Sequence, residues 1–184
     1  MRQSIVGVYA ICALTGACST TRVALTPQPP ALVEALRHVP ATSPSLPRSD
    51  SDSIVATALE QIAFHGTVDL PPARLVVVKR DSAFPSSSAL PRIGSITFFL
   101  LTEDDIRRVA DRSGELSYLN VGHPKIIGDS AVVSVGTALV VDTARADRGH
   151  GRYYRGPWNL GGCAWALKRV KGSWRVLKPF CFIV

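Results

Sequence analysis

CAWALKRV-KG-SWRVLKPFCFIV, residues 163–184, constrains this chain more than any other stretch. Two runs rich in β-branched and aromatic residues flank Lys171-Gly172, a pattern that predicts an antiparallel hairpin. With a two-residue turn, Val170 opposes Ser173 and Cys163 falls opposite Phe180, one residue short of Cys181. A bulge at Pro179 corrects that offset, and a three-residue turn sets the cysteines directly opposite. The two are neighbours either way, as a disulfide or as two buried thiols. A bond closing a loop of about 17 residues stabilises by about 3 kcal/mol in the chain-entropy model.

Upstream, helical and strand patterns alternate. SDSDSIVATALEQIAFHG offers polar caps, then Ile54, Val55, Ala58, Leu59 and Ile62 at helical spacing, then Gly66 as a stop. ARLVVVKR reads as a strand, AFPSSSALPR as a loop and GSITFFLL as a second strand. TEDDIRRVADRSG reads as a short helix, with Thr102 and Asp105 at capping-box spacing and Gly114 at its end. SAVVSVGTALVVD is a long strand ahead of the hairpin. The fold expected is α+β: an N-terminal helix and a short second helix packed on a curved antiparallel sheet closed by the C-terminal hairpin.

The other end reads as an address. Met1-Arg2, an apolar run from Ser4 to Ala17 and a cluster of small residues follow the charged, apolar, small order of an export signal, and about 14 apolar residues are too few to span a bilayer comfortably. A buried N-terminal element is the alternative, but nothing polar alternates through SIVGVYAICALTGA to give it an outer face. LTGAC resembles the end of a bacterial lipoprotein signal, which implies cleavage before Cys18 and lipid on that cysteine; the usual leucine place is held by Thr15, with Leu14 one position earlier. An ordinary signal peptidase would cut at the same point, since Thr15 and Ala17 are small. Cleavage discards Cys12 and leaves Cys18, Cys163 and Cys181, an odd number in an oxidising compartment unless Cys18 carries lipid. The expected organisation is a signal over 1–17, a Pro/Ser-rich tether over 18–50 and one α+β domain over 51–184. The tether's one helical piece, ALVEALRH, is too short to be stable alone.

The motif LKRVKGSWRV before a final apolar strand resembles the closing hairpin of nuclear-transport-factor-2-like domains. ITFFLLTEDDI, HPKIIGDSAVVSVG and GGCAWALKRVKGSWRVLKPF are similar, in order and spacing, to a set of uncharacterised small exported bacterial proteins and lipoproteins. That likeness, over residues 51–184, implies a helix-plus-curved-sheet fold and no activity, because no residue here matches the acid–base positions of the superfamily's enzymes.

Catalytic motifs are sparse. Gly128-Asp129-Ser130 with Asp147-x-x-His150 resembles the nucleophile and base blocks of an esterase superfamily, but 16 residues between Ser130 and Asp147 leave no room for the intervening sheet and oxyanion donors. A turn followed by a loop accounts for both stretches. His38, His65, His123 and His150 are scattered, with no two at metal-ligand spacing, so neither a metal nor a cofactor is expected.

Charge is more telling. Residues 145–178 hold nine Lys and Arg against Asp147, a local excess of eight, whereas the rest of the chain after Ala17 has eleven basic and thirteen acidic residues. Arg148, Arg152 and Arg155 interleave with Tyr153, Tyr154 and Trp158, a mixture suited to anions and flat surfaces; a solvated sheet face is the alternative reading. Export argues against nucleic acid, leaving an acidic envelope component or anionic lipid as partner beside the membrane reached through Cys18. The expectation is an exported, membrane-anchored cell-envelope protein, on the periplasmic side or cell surface, acting as a non-catalytic binding module. A small pocket enzyme, isomerase or hydrolase, on a cone-like fold is the alternative.

Overall fold

A computed structural model describes residues 28–65, 73–82, 84–141 and 158–182. Three helices, α1 (Pro30–Leu36), α2 (Asp50–His65) and α3 (Glu103–Ser113), accompany seven strands. These are β1 (Leu75–Lys79), β2 (Thr97–Leu101), β3 (Glu115–Val121), β4 (Lys125–Ile127), β5 (Ser130–Val141), β6 (Trp158–Val170) and β7 (Ser173–Phe182). The long helices begin where side chains replace missing backbone partners. At α2 the Ser49 hydroxyl accepts from the Asp52 N–H at 3.1 Å, and the buried Asp52 carboxylate accepts from the Arg48 N–H at 3.0 Å and the Ser88 hydroxyl at 2.9 Å. At α3 Thr102 and Asp105 form the expected capping box, and Gly114, at φ 90°, ends the helix by donating to Ala110.

The strands form one mixed sheet in the order β2-β1-β3-β5-β6-β7, with β4 also paired to β5. From β3 onward every pairing is antiparallel, but β1 runs parallel to both β2 and β3. The expectation of a wholly antiparallel sheet is corrected on this point. The helix TEDDIRRVADRSG carries the chain from β2 back to β3 on the far side of β1, and a strand–helix–strand crossover of that kind restores the original direction. The sheet is also open rather than closed, with β2 and β7 as its edges. Its helices occupy both faces. α2 packs Ile54, Val55, Ala58, Leu59 and Ile62 against Val76, Val78, Leu119, Val133 and Trp165 on one. On the other, α1 and α3 pack Leu36, Ile106 and Val109 against Val77, Phe99, Leu116, Tyr118 and Ala138.

Residues 30–46, expected within the tether, are instead part of the folded unit. Ala35 and Leu36 are buried, the Thr42 N–H donates to the Phe98 carbonyl at 2.8 Å, and the Thr42 hydroxyl accepts from the Leu100 N–H at 3.0 Å. A seven-residue helix that could not persist alone is stabilised by burying its apolar side, and the segment after it covers the β2 edge.

In the hairpin, Lys171 (φ 51°) and Gly172 (φ 82°) make a two-residue turn with both φ positive, so Val170 opposes Ser173 as expected. The register then shifts by one at Leu177, rather than at the expected Pro179, and sets Cys163 opposite Cys181. The two are joined in a disulfide.

Candidate binding face

Side chains alternate across a strand, and on β5 this separates two environments. Ala131, Val133 and Val135 enter the α2 core, whereas Ser130, Val132 and Ser134 point to the other face and are exposed. Farther along β5, Ala138 lies on that same outer face but beneath α3, in the cluster that also holds α1. Among the described residues, the helical layer therefore covers β1–β3 and the second half of β5, and leaves β4, the first half of β5, and β6 and β7 bare.

Register identifies what the bare face presents. Lys125 stands opposite Val132, Lys168 opposite Ser130 and Arg175, and Lys178 opposite Ala166, which lies opposite Val132. All four cations are exposed and none has an acidic partner among the described residues. The four strands β4, β5, β6 and β7 contain no Asp or Glu; in sequence, Asp129 and Asp142 immediately flank β5. Between the cations lie Ile127, 82% exposed, Val132, 47%, and Phe180, 54%, with Ala164 and Ala166 keeping the centre low. Lys178 Nζ sits 4.4 Å from the Phe180 ring centroid.

Arg169, one residue from Lys168 and so on the opposite face, is used differently. Its guanidinium pairs with Asp50 in the first turn of α2 and lies 4.7 Å from the Trp174 ring centroid, while Trp174 Nε1 donates to Asp50 Oδ1 at 3.3 Å. That clasp ties the hairpin to α2. Among the described residues Lys168 and Arg175 have no such partner, and like charges directly opposite on one face oppose sheet pairing.

A second charged cluster sits at the carboxyl ends of the parallel strands. Lys79 Nζ lies 3.2 Å from Glu103 and 3.3 Å from Asp81, and Glu103 also meets Arg107 at 2.5 Å. Burial pushes the Lys79 ammonium down, but the hydrogen bonds from Glu103 and Asp81 and their charges outweigh it and hold its pKa above the ordinary value. The hydrogen bond and charge of Lys79 hold Glu103 below its own, and burial pushes the nearby Tyr118 up. An ammonium fixed in its charged form cannot act as a base, so this cluster buttresses the junction of β1 and α3.

Of the residues singled out by sequence, Cys18, Arg148, Arg152, Tyr153, Tyr154 and Arg155 lie outside the described residues, as do Asp147 and His150. Trp158 opens β6 with its backbone opposite Leu139. Gly128-Asp129 forms the turn between β4 and β5. His38 is exposed beside an open cleft with Glu34 and Arg112, and His123 stacks on Phe84 at 4.1 Å between ring centroids. Among the described residues no group of three His, Cys, Asp or Glu could hold a metal, and no helix is long and apolar enough to cross a membrane. The bare face itself was missed, although a signal existed: a two-residue turn at Lys171-Gly172 puts Lys168 opposite Arg175 by counting alone.

No protein-family model matches the chain, and neither a curated protein nor a solved structure matches it.

Proposed function

We propose that the protein is an exported cell-envelope binding module, anchored through lipid on Cys18, that takes an acidic partner on the bare face of β4–β7. The observation that carries this reading is the cross-strand pair Lys168–Arg175 with Lys125 and Lys178 beside it: four cations on one face with no acidic partner among the described residues. Placing like charges opposite one another lowers stability, and conflicts of that kind concentrate where a surface serves binding. The space between α2 and the sheet, where a cone-like fold would hold a catalytic pocket, is filled by Leu59, Val78, Phe98, Leu119 and Trp165, which favours binding over the pocket-enzyme alternative. The likeness to nuclear-transport-factor-2-like domains belongs to the same proposal, as does a curved sheet.

Binding to dextran sulfate, with neutral dextran as control, tests the face. The full chain should bind the sulfated polymer with an affinity that falls as salt rises, and combined Lys125→Glu, Lys168→Glu and Lys178→Glu should weaken it at least about tenfold. Unchanged binding by the triple variant would leave the cations as a solvated face and overturn the reading. The anchor is tested separately by non-reducing intact mass of the protein from a bacterial membrane fraction. The mass expected is that of the chain from Cys18 with acyl chains, less two hydrogens for the disulfide; an unmodified soluble chain retaining Met1 would reject export.

A further inference from the structure

The bare face has a shape as well as a charge. β4, β5, β6 and β7 lie side by side at the N-terminal end of β5, a width of about 15 Å between the outer strands. On the same face, from Ala138 onward, α3, with α1 packed against it, rises above the sheet by the thickness of a helix, about 10 Å. The result is a shelf: a basic floor with apolar side chains, bounded on one side by a helical wall. Its floor exposes Val132, with Ile127 at one end and Phe180 toward β7.

Each class of occupant meets this shelf differently. A second copy of the face would set cations against cations. A flat bilayer would meet the helical wall first and be held about 10 Å above the part of the β5 row nearest to it. A sugar chain favours an open aromatic platform, but the only aromatic side chain described on this floor, Phe180, already has Lys178 over its ring, and Ile127 and Val132 are aliphatic. Addition of a strand to the β7 edge is disfavoured by the irregularity at Leu177 and by Pro179 and Lys178 on that edge. We infer that the occupant is an extended acidic segment of a partner protein, with apolar side chains between its carboxylates, lying on the shelf so that Lys125, Lys168, Arg175 and Lys178 meet the carboxylates and Ile127 and Val132 meet the apolar groups.

The inference rests on the proposed binding reading and is separable from it. Fluorescence anisotropy with the full chain compares two labelled probes of equal charge: one, of about eight residues and long enough to cross four strands, alternates Glu with Leu and Ser; the other is polyglutamate trimmed to the same charge. Phosphatidylglycerol vesicles are the third probe. The Glu-Leu-Ser peptide should bind about tenfold tighter than polyglutamate, and Ile127→Ser with Val132→Ser should abolish that advantage while leaving polyglutamate binding and the melting temperature unchanged. Equal affinity for both peptides overturns the inference and keeps the acidic-partner reading. Vesicle binding that the serine variant weakens overturns it in favour of a membrane surface. Should Lys168→Glu with Lys178→Glu alter binding of no probe, the underlying reading falls with it.

Discussion

The two halves of this sheet solve different problems with the same hydrogen-bond ladder. In β1, consecutive residues Val76, Val77 and Val78 are all at most 6% exposed, because α2 lies on one side and α1 with α3 on the other. In β5, Val133 is 1% exposed and its neighbour Val132 is 47% exposed, because only the α2 side is covered there. A doubly covered strand gains stability from every side chain; a singly covered one gains it from half of them and offers the rest to solvent or a partner. The bare half also draws on attachments that the covered half does without, namely the Cys163–Cys181 bond and the Asp50–Arg169–Trp174 clasp to α2.

The sharpest break in this comparison comes from truncating one side chain in each half. Phe98→Ala, which empties a core position 1% exposed in β2, should cost about 3–5 kcal/mol in urea unfolding, whereas Val132→Ala should stay within about 0.5 kcal/mol. Similar losses at both sites would mean that the outer face is covered after all. Next in size is the attachment. Replacing both Cys163 and Cys181 with Ser should cost about 3 kcal/mol by release of the loop between them, with loss of amide hydrogen-exchange protection concentrated in β6 and β7. Uniform loss of protection across β1–β3 as well would show that the halves unfold as one unit.

How legible each half was in the sequence follows from how local its determinants are. The α3 cap, the Lys171-Gly172 turn and the facing cysteines were read correctly, since each depends on residues a few positions apart or on counting outward from a turn. The parallel placement of β1 and the docking of α1 were not, because both depend on contacts formed across the fold: Leu36 is indistinguishable from a linker leucine until α3 covers it. ELSYLNV drew no attention as a strand, although Leu116, Tyr118 and Leu119 are buried in the finished sheet. Basicity was located along the chain, but periodicity does not show which face of a strand the helices leave uncovered.

A smaller effect tests the buttress in the covered half. Glu103 and Asp105 are held below their ordinary values of 4.5 and 3.8, the first chiefly by hydrogen bonding to Lys79 and the second by the Thr102 hydroxyl. Their contribution is present above those ordinary values and is lost as pH falls through the lower folded ones. Lys79, held above 10.5, contributes below that value and loses its share as pH rises through the raised folded one. Stability from these groups is therefore flat around neutrality and declines at both extremes. Glu103→Gln should reduce stability at pH 7 by no more than about 1 kcal/mol, because the carboxylate is half exposed and screened, and should shrink both declines. An unchanged pH profile would remove Glu103 from the linkage.

The smallest expected change has the opposite sign. If the like-charged pair at Lys168 and Arg175 is retained for binding, then Lys168→Glu converts a repulsion into an attraction between residues already in register. Cross-strand pairs of this kind differ by about 0.2–1 kcal/mol, so the variant should melt slightly higher than the parent while its affinity for an acidic ligand falls. Destabilisation instead would show that the lysine stem supports packing at this site, and the argument from a tolerated repulsion would fail. A gain in stability without loss of binding would separate the two properties and shift the acidic site toward Lys125 and Lys178. A gain with loss links them: the bare half would be less stable than its register allows because of the charge it presents.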